Sequence, residues 1–200
     1  MKFEKSDFTL FEIPVDLPVF TTILTDHLEF SKYLKETIIE HRKKHPQSNT
    51  SNVKSWHSAW NTHEINSKFK PLTDRVESAC SMIASEYYNN QINFYVKDLW
   101  AMMYDEGDYA KKHNHYPEVL SSIYYVDVES TSSPIIFENN HGKSLTIHPQ
   151  NGMLLIWSSL IDHMVFPTDS KRMLISMNVN PQKVNREKTG EPLYSTSDRF

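Results

Sequence analysis

The sequence predicts a mainly β protein in which two N-terminal helices pack on a core of two β-sheets. From residue 91 onward, short segments rich in Val, Ile, Tyr, Phe and Trp alternate with Gly, Pro, Asn or Asp, as in sandwiches and jelly rolls. Before residue 90, two segments instead carry apolar residues at helical spacing. The composition, 38% hydrophobic and 12% aromatic, is sufficient for a substantial core.

The first ninety residues predict extended arms followed by two helices. Residues 8–24 contain two prolines among β-branched and aromatic residues, which confines such a segment to edge strands or arms. Residues 26–44 carry an apolar face and a basic C-terminal end, as a helix prefers. Residues 71–88 begin at a proline, which fits the first turn of a helix. Cys80 lies near the apolar stripe of this second helix and is predicted to be a buried small residue.

The remainder of the chain predicts a series of short strands. They cover residues 93–104, 111–116, 120–128, 134–139, 144–149, 152–158, 163–167 and 172–180. We therefore expect a single domain over residues 1–200, with helical support in residues 1–90, the β core in residues 91–182 and a polar tail in residues 183–200.

Charge and cysteine content restrict the partners and the compartment. The net charge of −4 and the pI near 6.2 argue against a nucleic-acid-binding surface. The single cysteine excludes an internal disulfide and favours a reducing compartment. The charged N-terminus lacks the apolar run of a signal peptide, and no apolar run reaches the ~18 residues of a membrane span. We expect a cytoplasmic protein with no membrane partner.

Three histidines form a candidate metal site. His113 and His115 lie two residues apart in a predicted strand, so their side chains should share one face. His163, far along the chain, can complete a three-point site. Imidazole suits iron, zinc, copper or nickel. Taken alone, the pair could equally lie on an exposed loop without a function.

The last predicted strand carries a candidate anion-binding group. Arg172 opens this strand and should share one face with Leu174, Ser176 and Asn178. Burying a guanidinium is costly unless it meets an anion, and its planar fork matches a carboxylate. Ser176 and Tyr125 can supply hydroxyl donors to the same anion. The alternative for Arg172 is an ordinary surface ion pair.

The order of these segments resembles the iron(II)- and 2-oxoglutarate-dependent oxygenase superfamily, and most closely its small prolyl-hydroxylase-like branch, common in bacteria and phages. The resemblance covers roughly residues 95–180. It rests on the segments GDYAKKHNHYP, LSSIYYVDV, PQNGMLLIWSSLIDHMVFP and KRMLISMN. It implies a double-stranded β-helix (jelly-roll, cupin-like) core, an H-x-D/E…H iron site and a basic residue nine to eleven positions after the distal histidine.

The resemblance also implies roles for individual residues. His113 takes the position of the first metal ligand and His163 that of the distal one. Arg172 takes the position that forms the salt bridge to the C5 carboxylate of 2-oxoglutarate. The residues predicted to contact this cosubstrate are Arg172, Tyr125, Ser176, Tyr104 and Asn178.

His115 stands where the family has a carboxylate. It can itself be the third ligand, a nearby acid can replace it, the position can be open as in halogenases, or the site can bind metal poorly. The acids close by in sequence are Asp105, Glu106, Asp108 and Glu118. A neutral imidazole in place of a carboxylate leaves more positive charge on the metal, which should favour anionic co-ligands.

The activity implied is a dioxygenase that uses Fe(II), 2-oxoglutarate and O2, with ascorbate as a supporting reductant, and releases succinate and CO2. The substrate would be a peptide, an amino acid or a nucleobase, with peptidyl or free proline favoured. If phage-encoded, the protein would act in the host cytoplasm. The candidates for substrate contact are Trp56, His57, Trp60 and residues 139–143, although the tryptophans could instead belong to the core.

Two other functions stay open. One is a three-histidine, cupin-like dioxygenase that does not use 2-oxoglutarate. Arg172 and Ser176 argue against it, because that chemistry needs no carboxylate clamp. The other is a non-catalytic jelly-roll binding module, in which the order of histidines and arginine would be coincidental.

Overall fold

A computed structural model describes most of the chain, namely residues 4–7, 9–13, 17–49, 51–138 and 144–182. The predicted tail, residues 183–200, and the candidate substrate segment, residues 139–143, lie outside these described residues. Among the described helices, none combines the length and apolar character needed to cross a bilayer.

The described residues form twelve strands and three α-helices. The strands are β1 (Thr9–Ile13), β2 (Leu17–Ile23), β3 (Val53–Lys54), β4 (Trp56–His57), β5 (Phe94–Tyr104), β6 (Tyr109–His113), β7 (Leu120–Val128), β8 (Ile135–Glu138), β9 (Ser144–Ile147), β10 (Met153–Ser158), β11 (Asp162–Val165) and β12 (Arg172–Pro181). The helices are α1 (His27–Lys44), α2 (Thr62–Ile65) and α3 (Lys70–Tyr88), and 3-10 turns cover Lys5–Asp7 and Ser67–Phe69.

The strands form two antiparallel sheets with the topology of a jelly roll. The larger sheet has the order β1-β2-β10-β7-β12-β5-β4, and the smaller one has the order β3-β6-β11-β8-β9. From β5 to β8 and again from β10 to β12, successive strands alternate between the two sheets. The predicted jelly-roll fold is therefore confirmed.

Both long helices pack on the outer face of the larger sheet. They begin and end within one residue of the predicted bounds, and Pro71 lies in the first turn of α3. Their apolar residues, including Leu34 and Val76, form one buried cluster with Ile175 and Met177 of β12. Cys80 belongs to this cluster and is fully buried, as predicted.

The N-terminal part of the chain is not only a helical support. It supplies β1 and β2 to one edge of the larger sheet, β4 to the opposite edge, and β3 to an edge of the smaller sheet. The boundary expected at residue 90 therefore does not separate a helical part from a β part. Strands β3 and β4 have two residues each, too few for a periodic pattern to reveal.

A second apolar cluster fills the space between the two sheets. It joins Leu155 and Trp157 of β10 and Leu174 of β12 to Ile135 and Phe137 of β8 in the facing sheet. The packing is incomplete, and a cavity of about 350 Å³ remains between the sheets. This cavity contains the candidate site.

Candidate metal centre

Two of the three histidines are placed by strand pairing. Strands β6 and β11 are antiparallel neighbours, and His113 lies directly opposite His163. Directly opposed residues project to the same side of a sheet. Their ring centroids are 4.4 Å apart, and Trp157 packs edge-on against His163 at 5.1 Å. Residues separated by about fifty positions in sequence therefore present their imidazoles together in the cavity.

The third histidine reaches the site from a loop, which corrects the prediction of one strand over residues 111–116. Strand β6 ends at His113. Beyond it, the Asn114 side chain accepts a hydrogen bond from the backbone N–H of Tyr116 and donates one to Asp162. The first of these bonds is local, and such local side-chain bonds compete with a strand ladder. The backbone N–H of His115 donates instead to the carbonyl of Ser159, at 2.9 Å, which holds the loop at the site.

The three imidazoles are arranged as metal ligands. One nitrogen of each of His113, His115 and His163 lies within 4.8 Å of the other two. The Nδ1 of His113 is 2.6 Å from the carbonyl of Lys111, and that of His163 is 3.2 Å from the carbonyl of Ile161. A carbonyl oxygen only accepts, so each Nδ1 carries the proton and each Nε2 keeps a free lone pair. This second hydrogen bond is the one that orients a metal-binding histidine.

Burial keeps the histidines neutral, as metal binding requires. It lowers the pKa of His113, lowers that of His115 to about 4, and holds that of His163 well below its usual range. The proximity of the three rings acts in the same direction for His115 and His163. At neutral pH no proton has to be displaced. The donor set therefore fits a divalent transition metal such as iron(II), nickel or zinc.

None of the acids proposed as a substitute ligand belongs to this cluster. Glu118 is bound instead by the ammonium of Lys97 and the amide of Asn180. The other three acids lie in the turn between β5 and β6, and they are Asp105, Glu106 and Asp108. Among the described residues, His115 is thus the third group that could hold a metal ion with His113 and His163.

Arg172 is buried in the same cavity with few partners. It is only 3% exposed, and its guanidinium lies 4.2 Å from the centre of the Tyr104 ring. One terminal nitrogen donates to the carbonyl of Ser133, at 2.8 Å, but Nε has no partner. No described carboxylate lies within 4.0 Å of it. Because an uncompensated buried charge is costly, the site fits a bound anion.

Three side chains with hydroxyl groups line the same cavity as this guanidinium. Tyr104, Tyr125 and Ser176 are buried and line the cavity with Arg172. Burial raises the pKa of Tyr125 to about 12 and raises that of Tyr104. Both phenols therefore keep their protons and can donate hydrogen bonds. Asn178 also lines the cavity, but its amide contacts His115 and Asp98, and its predicted contact with the cosubstrate stays a prediction.

The candidate substrate residues in β4 and just after it do not all reach the cavity. His57 and Trp60 line the cavity. Trp56 does not, because adjacent residues of a strand point to opposite sides; it packs in the core beside the helices, with Arg42 over its ring. Of the two positions that the sequence left open for Trp56, a substrate groove and the core, the structure therefore shows the core.

Trp100 is a lining residue that the sequence analysis missed. Its ring stacks between His57 at 5.7 Å and His115 at 5.6 Å, with interplanar angles of 12° and 20°. The signal was available in the period-two alternation of β5, which places Trp100 on the same face as Tyr104. Tyr116 was also missed and is 72% exposed at the rim.

Comparison with known proteins gives a likeness in structure only. No family model matches the sequence, and no curated protein matches it significantly. The fold resembles a prolyl hydroxylase from Trichoplax adhaerens in complex with a hypoxia-inducible-factor peptide fragment (TM-score 0.63, 18% identity, 80% of this chain and 83% of that one). It also resembles a Pseudomonas putida prolyl-4-hydroxylase (TM-score 0.59, 12% identity, 76% of this chain and 88% of that one). A third similar structure is HygX from Streptomyces hygroscopicus with nickel and 2-oxoglutarate bound (TM-score 0.60, 7% identity, 82% of this chain and 82% of that one). These identities establish a shared fold.

Proposed function

We propose that this chain, which has the fold of the prolyl hydroxylases and related 2-oxoglutarate/iron(II) oxygenases, is itself an iron(II)- and 2-oxoglutarate-dependent dioxygenase. One observation carries the proposal. A single cavity holds three neutral imidazoles with converging nitrogens and a buried guanidinium without a described carboxylate partner. A metal ion would satisfy the first group and a dicarboxylate the second.

Each of these residues has a task in binding. His113, His115 and His163 would hold iron through Nε2. Arg172 would bind the distal carboxylate of 2-oxoglutarate through its planar fork, with hydroxyl donors from Tyr125 and Ser176. When bound, iron(II) with 2-oxoglutarate and O2 supplies the oxidation that releases succinate and CO2 and hydroxylates a carbon–hydrogen bond. The apolar walls, including Leu174 and Trp157, exclude water from the reacting groups.

The cavity favours a substrate that is neutral at its reacting end. Apart from Arg172, the charged residue among the described lining is Glu118, which Lys97 already neutralises. A free amino acid would bring an ammonium and a carboxylate, both needing partners. The aromatic surfaces of Trp60 and Trp100 suit a neutral ring. We therefore favour a prolyl residue within a peptide, and the peptide in the Trichoplax complex agrees with this choice.

A three-histidine dioxygenase without 2-oxoglutarate is the second candidate. The ligand set favours it, because three imidazoles without a carboxylate are also found in cupin-like metalloenzymes. Arg172 favours the first candidate, because 2-oxoglutarate brings a distal carboxylate that its guanidinium can bind. Dependence on 2-oxoglutarate therefore decides between them.

The test is succinate formation. Protein loaded anaerobically with iron(II) is mixed with O2, ascorbate and 2-oxoglutarate, with and without proline-containing peptides. We expect succinate from the native protein, none from His163→Ala, and from Arg172→Met a KM for 2-oxoglutarate raised by about 10–100-fold with iron retained. Arg75→Met is the matched control, since Arg75 pairs with Asp26 and does not line the cavity. Equal succinate from native protein and His163→Ala would refute the proposal.

A further inference from the structure

A chain of two hydrogen bonds leads from β5 to the third histidine. The Nδ1 of His115 lies 2.6 Å from Oδ1 of Asn178, and Nδ2 of Asn178 lies 3.0 Å from a carboxylate oxygen of Asp98. Asn178 and Asp98 are direct partners in the pairing of β12 with β5. Asn178 is 7% exposed, and its bond to Asp98 joins β12 to β5, its neighbour in the larger sheet.

The carboxylate gives this chain a direction. A carboxylate only accepts hydrogen bonds, so the NH2 group of Asn178 must face Asp98. Its oxygen then faces His115 and also only accepts. The proton of the His115 ring must therefore lie on Nδ1, which leaves the lone pair of Nε2 free. The negative charge of Asp98 thus selects the tautomer of an imidazole that it does not touch.

We infer that Asp98 and Asn178 are positioning residues that fix His115 as an Nε2 metal ligand, an inference that rests on the proposed metal centre. His113 and His163 are oriented by backbone carbonyls. His115 follows the end of β6 and has no such carbonyl partner among the described contacts. A carboxylate at this position would have no tautomer to select. A histidine has two tautomers, and the Asp98–Asn178 pair fixes the one that is protonated on Nδ1.

The same strand provides a matched control. Asn180, two residues further along β12, accepts from the backbone N–H of Val119 and donates to Glu118. It therefore supports the loop that carries His115 through a second asparagine–acid pair, without touching a ligand. Loss of Asn180 tests loop support alone, whereas loss of Asn178 tests loop support and tautomer selection together.

The test has two readouts on Asn178→Leu and Asn180→Leu. Nitrogen-15 NMR of the metal-free protein reports which ring nitrogen of His115 is protonated, and chelator competition with cobalt(II) reports metal affinity. We expect Nδ1 protonation in the native protein and in Asn180→Leu, with similar affinities. In Asn178→Leu we expect a mixture of tautomers and an affinity about 10–100-fold lower. Should that variant not fold, Asp98→Asn replaces it. An amide at residue 98 can donate to the Asn178 oxygen, so the Asn178 side chain can turn its NH2 group towards His115.

A double exchange supplies the rescue. In Asp98→Asn/Asn178→Asp, the new carboxylate at residue 178 accepts from His115 and from the new amide at residue 98. The bond between residues 98 and 178 then runs in the opposite direction, but His115 still donates from Nδ1. We expect the Nδ1 tautomer and the cobalt affinity to recover, whereas Asn178→Asp alone places two carboxylates side by side. An unchanged tautomer or affinity in Asn178→Leu, an equal loss in Asn180→Leu, or no recovery in the exchange would overturn the inference. The tautomer is read without metal, so failure of the native protein to bind cobalt would count against the proposed function separately.

Discussion

At the scale of single residues, the site depends on groups whose burial is unfavourable without a ligand. Three imidazoles are neutral because burial lowers their pKa, and Arg172 keeps its charge in a cavity where it meets a carbonyl and an aromatic ring. A bound metal ion would stabilise the imidazole cluster, and a bound carboxylate would stabilise the buried guanidinium. Buried titratable groups in a cavity are typical of functional sites.

His115 gives the sharpest prediction for one residue. Replacing it with Asp substitutes a carboxylate that can still ligate the metal, so iron should remain bound. His115→Ala removes the ligand and should weaken iron binding by roughly 100-fold, taking about 3 kcal/mol as one ligand's share of the 10–16 kcal/mol of a four-ligand zinc site. Chelator competition measures both. Equal affinities for His115→Ala and the native protein would show that this histidine is not a ligand.

At the scale of secondary-structure elements, the sequence predicted the features that depend on local residue periodicity. It missed those that depend on contacts between distant residues. The period of 3.6 residues and Pro71 located both long helices. The period of two placed Arg172 and Ser176 on one face of β12, where both line the cavity. The end of β6 was missed because it depends on the side chain of Asn114, which bonds to the backbone N–H of Tyr116 and to Asp162 on another strand. No local pattern in the sequence reports the contact with Asp162.

The candidate site was likewise predicted only in part. The histidines could be found from their order in the sequence, but the direction of the Asp98–Asn178–His115 chain needs the register of β12 against β5. The sequence left Trp56 open between the groove and the core, because adjacent aromatic residues give no indication of which one faces inward. Strand β4 is held by its pairing with β5, almost fifty residues away in sequence.

The turn before β10 gives a prediction at this scale. Gly152 has φ +79°, and a Cβ there would lie 2.2 Å from the Cβ of His27 at the start of α1. Gly152→Ala should lower the free energy of unfolding by more than the ~1–3 kcal/mol of a strained backbone position. Gly107→Ala is the control, because Gly107 has φ +78° but no atom within 4 Å of the added Cβ. Urea denaturation measures the two; equal losses would show that the turn does not pack on α1 as described.

At the scale of the whole molecule, metal-ligand chemistry and folding are coupled. The cavity lies between the two sheets, so the pairing of β6 with β11 and of β5 with β12 builds the core and the site together. A ligand that binds only the folded state adds stability, about 2.7 kcal/mol at a concentration 100 times its Kd. Metal and 2-oxoglutarate should therefore each raise Tm.

The neutral histidines predict the pH dependence of stability without metal. In the unfolded chain their pKa is near 6.5, and in the folded protein it is lower, about 4 for His115. The unfolded state thus binds more protons, so stability is greatest above pH 6.5 and falls as the pH decreases towards 4. Thermal unfolding from pH 8 to pH 4 measures this.

A pair of variants isolates the contribution of the site. His163→Gln removes the most deeply buried of the three imidazoles and should flatten the decrease in Tm at acid pH. His148→Gln, at an exposed position, should leave the profile unchanged. Parallel profiles for the native protein and His163→Gln would contradict the assignment of the acid sensitivity to the metal centre.

A crystal structure of the protein grown anaerobically with iron(II) and 2-oxoglutarate tests the central claim most directly. We predict one metal ion within bonding distance of the Nε2 atoms of His113, His115 and His163. We also predict one end of the 2-oxoglutarate on that ion and its distal carboxylate on the guanidinium of Arg172. A metal held by a carboxylate in place of His115, or a cosubstrate bound away from Arg172, would contradict the account.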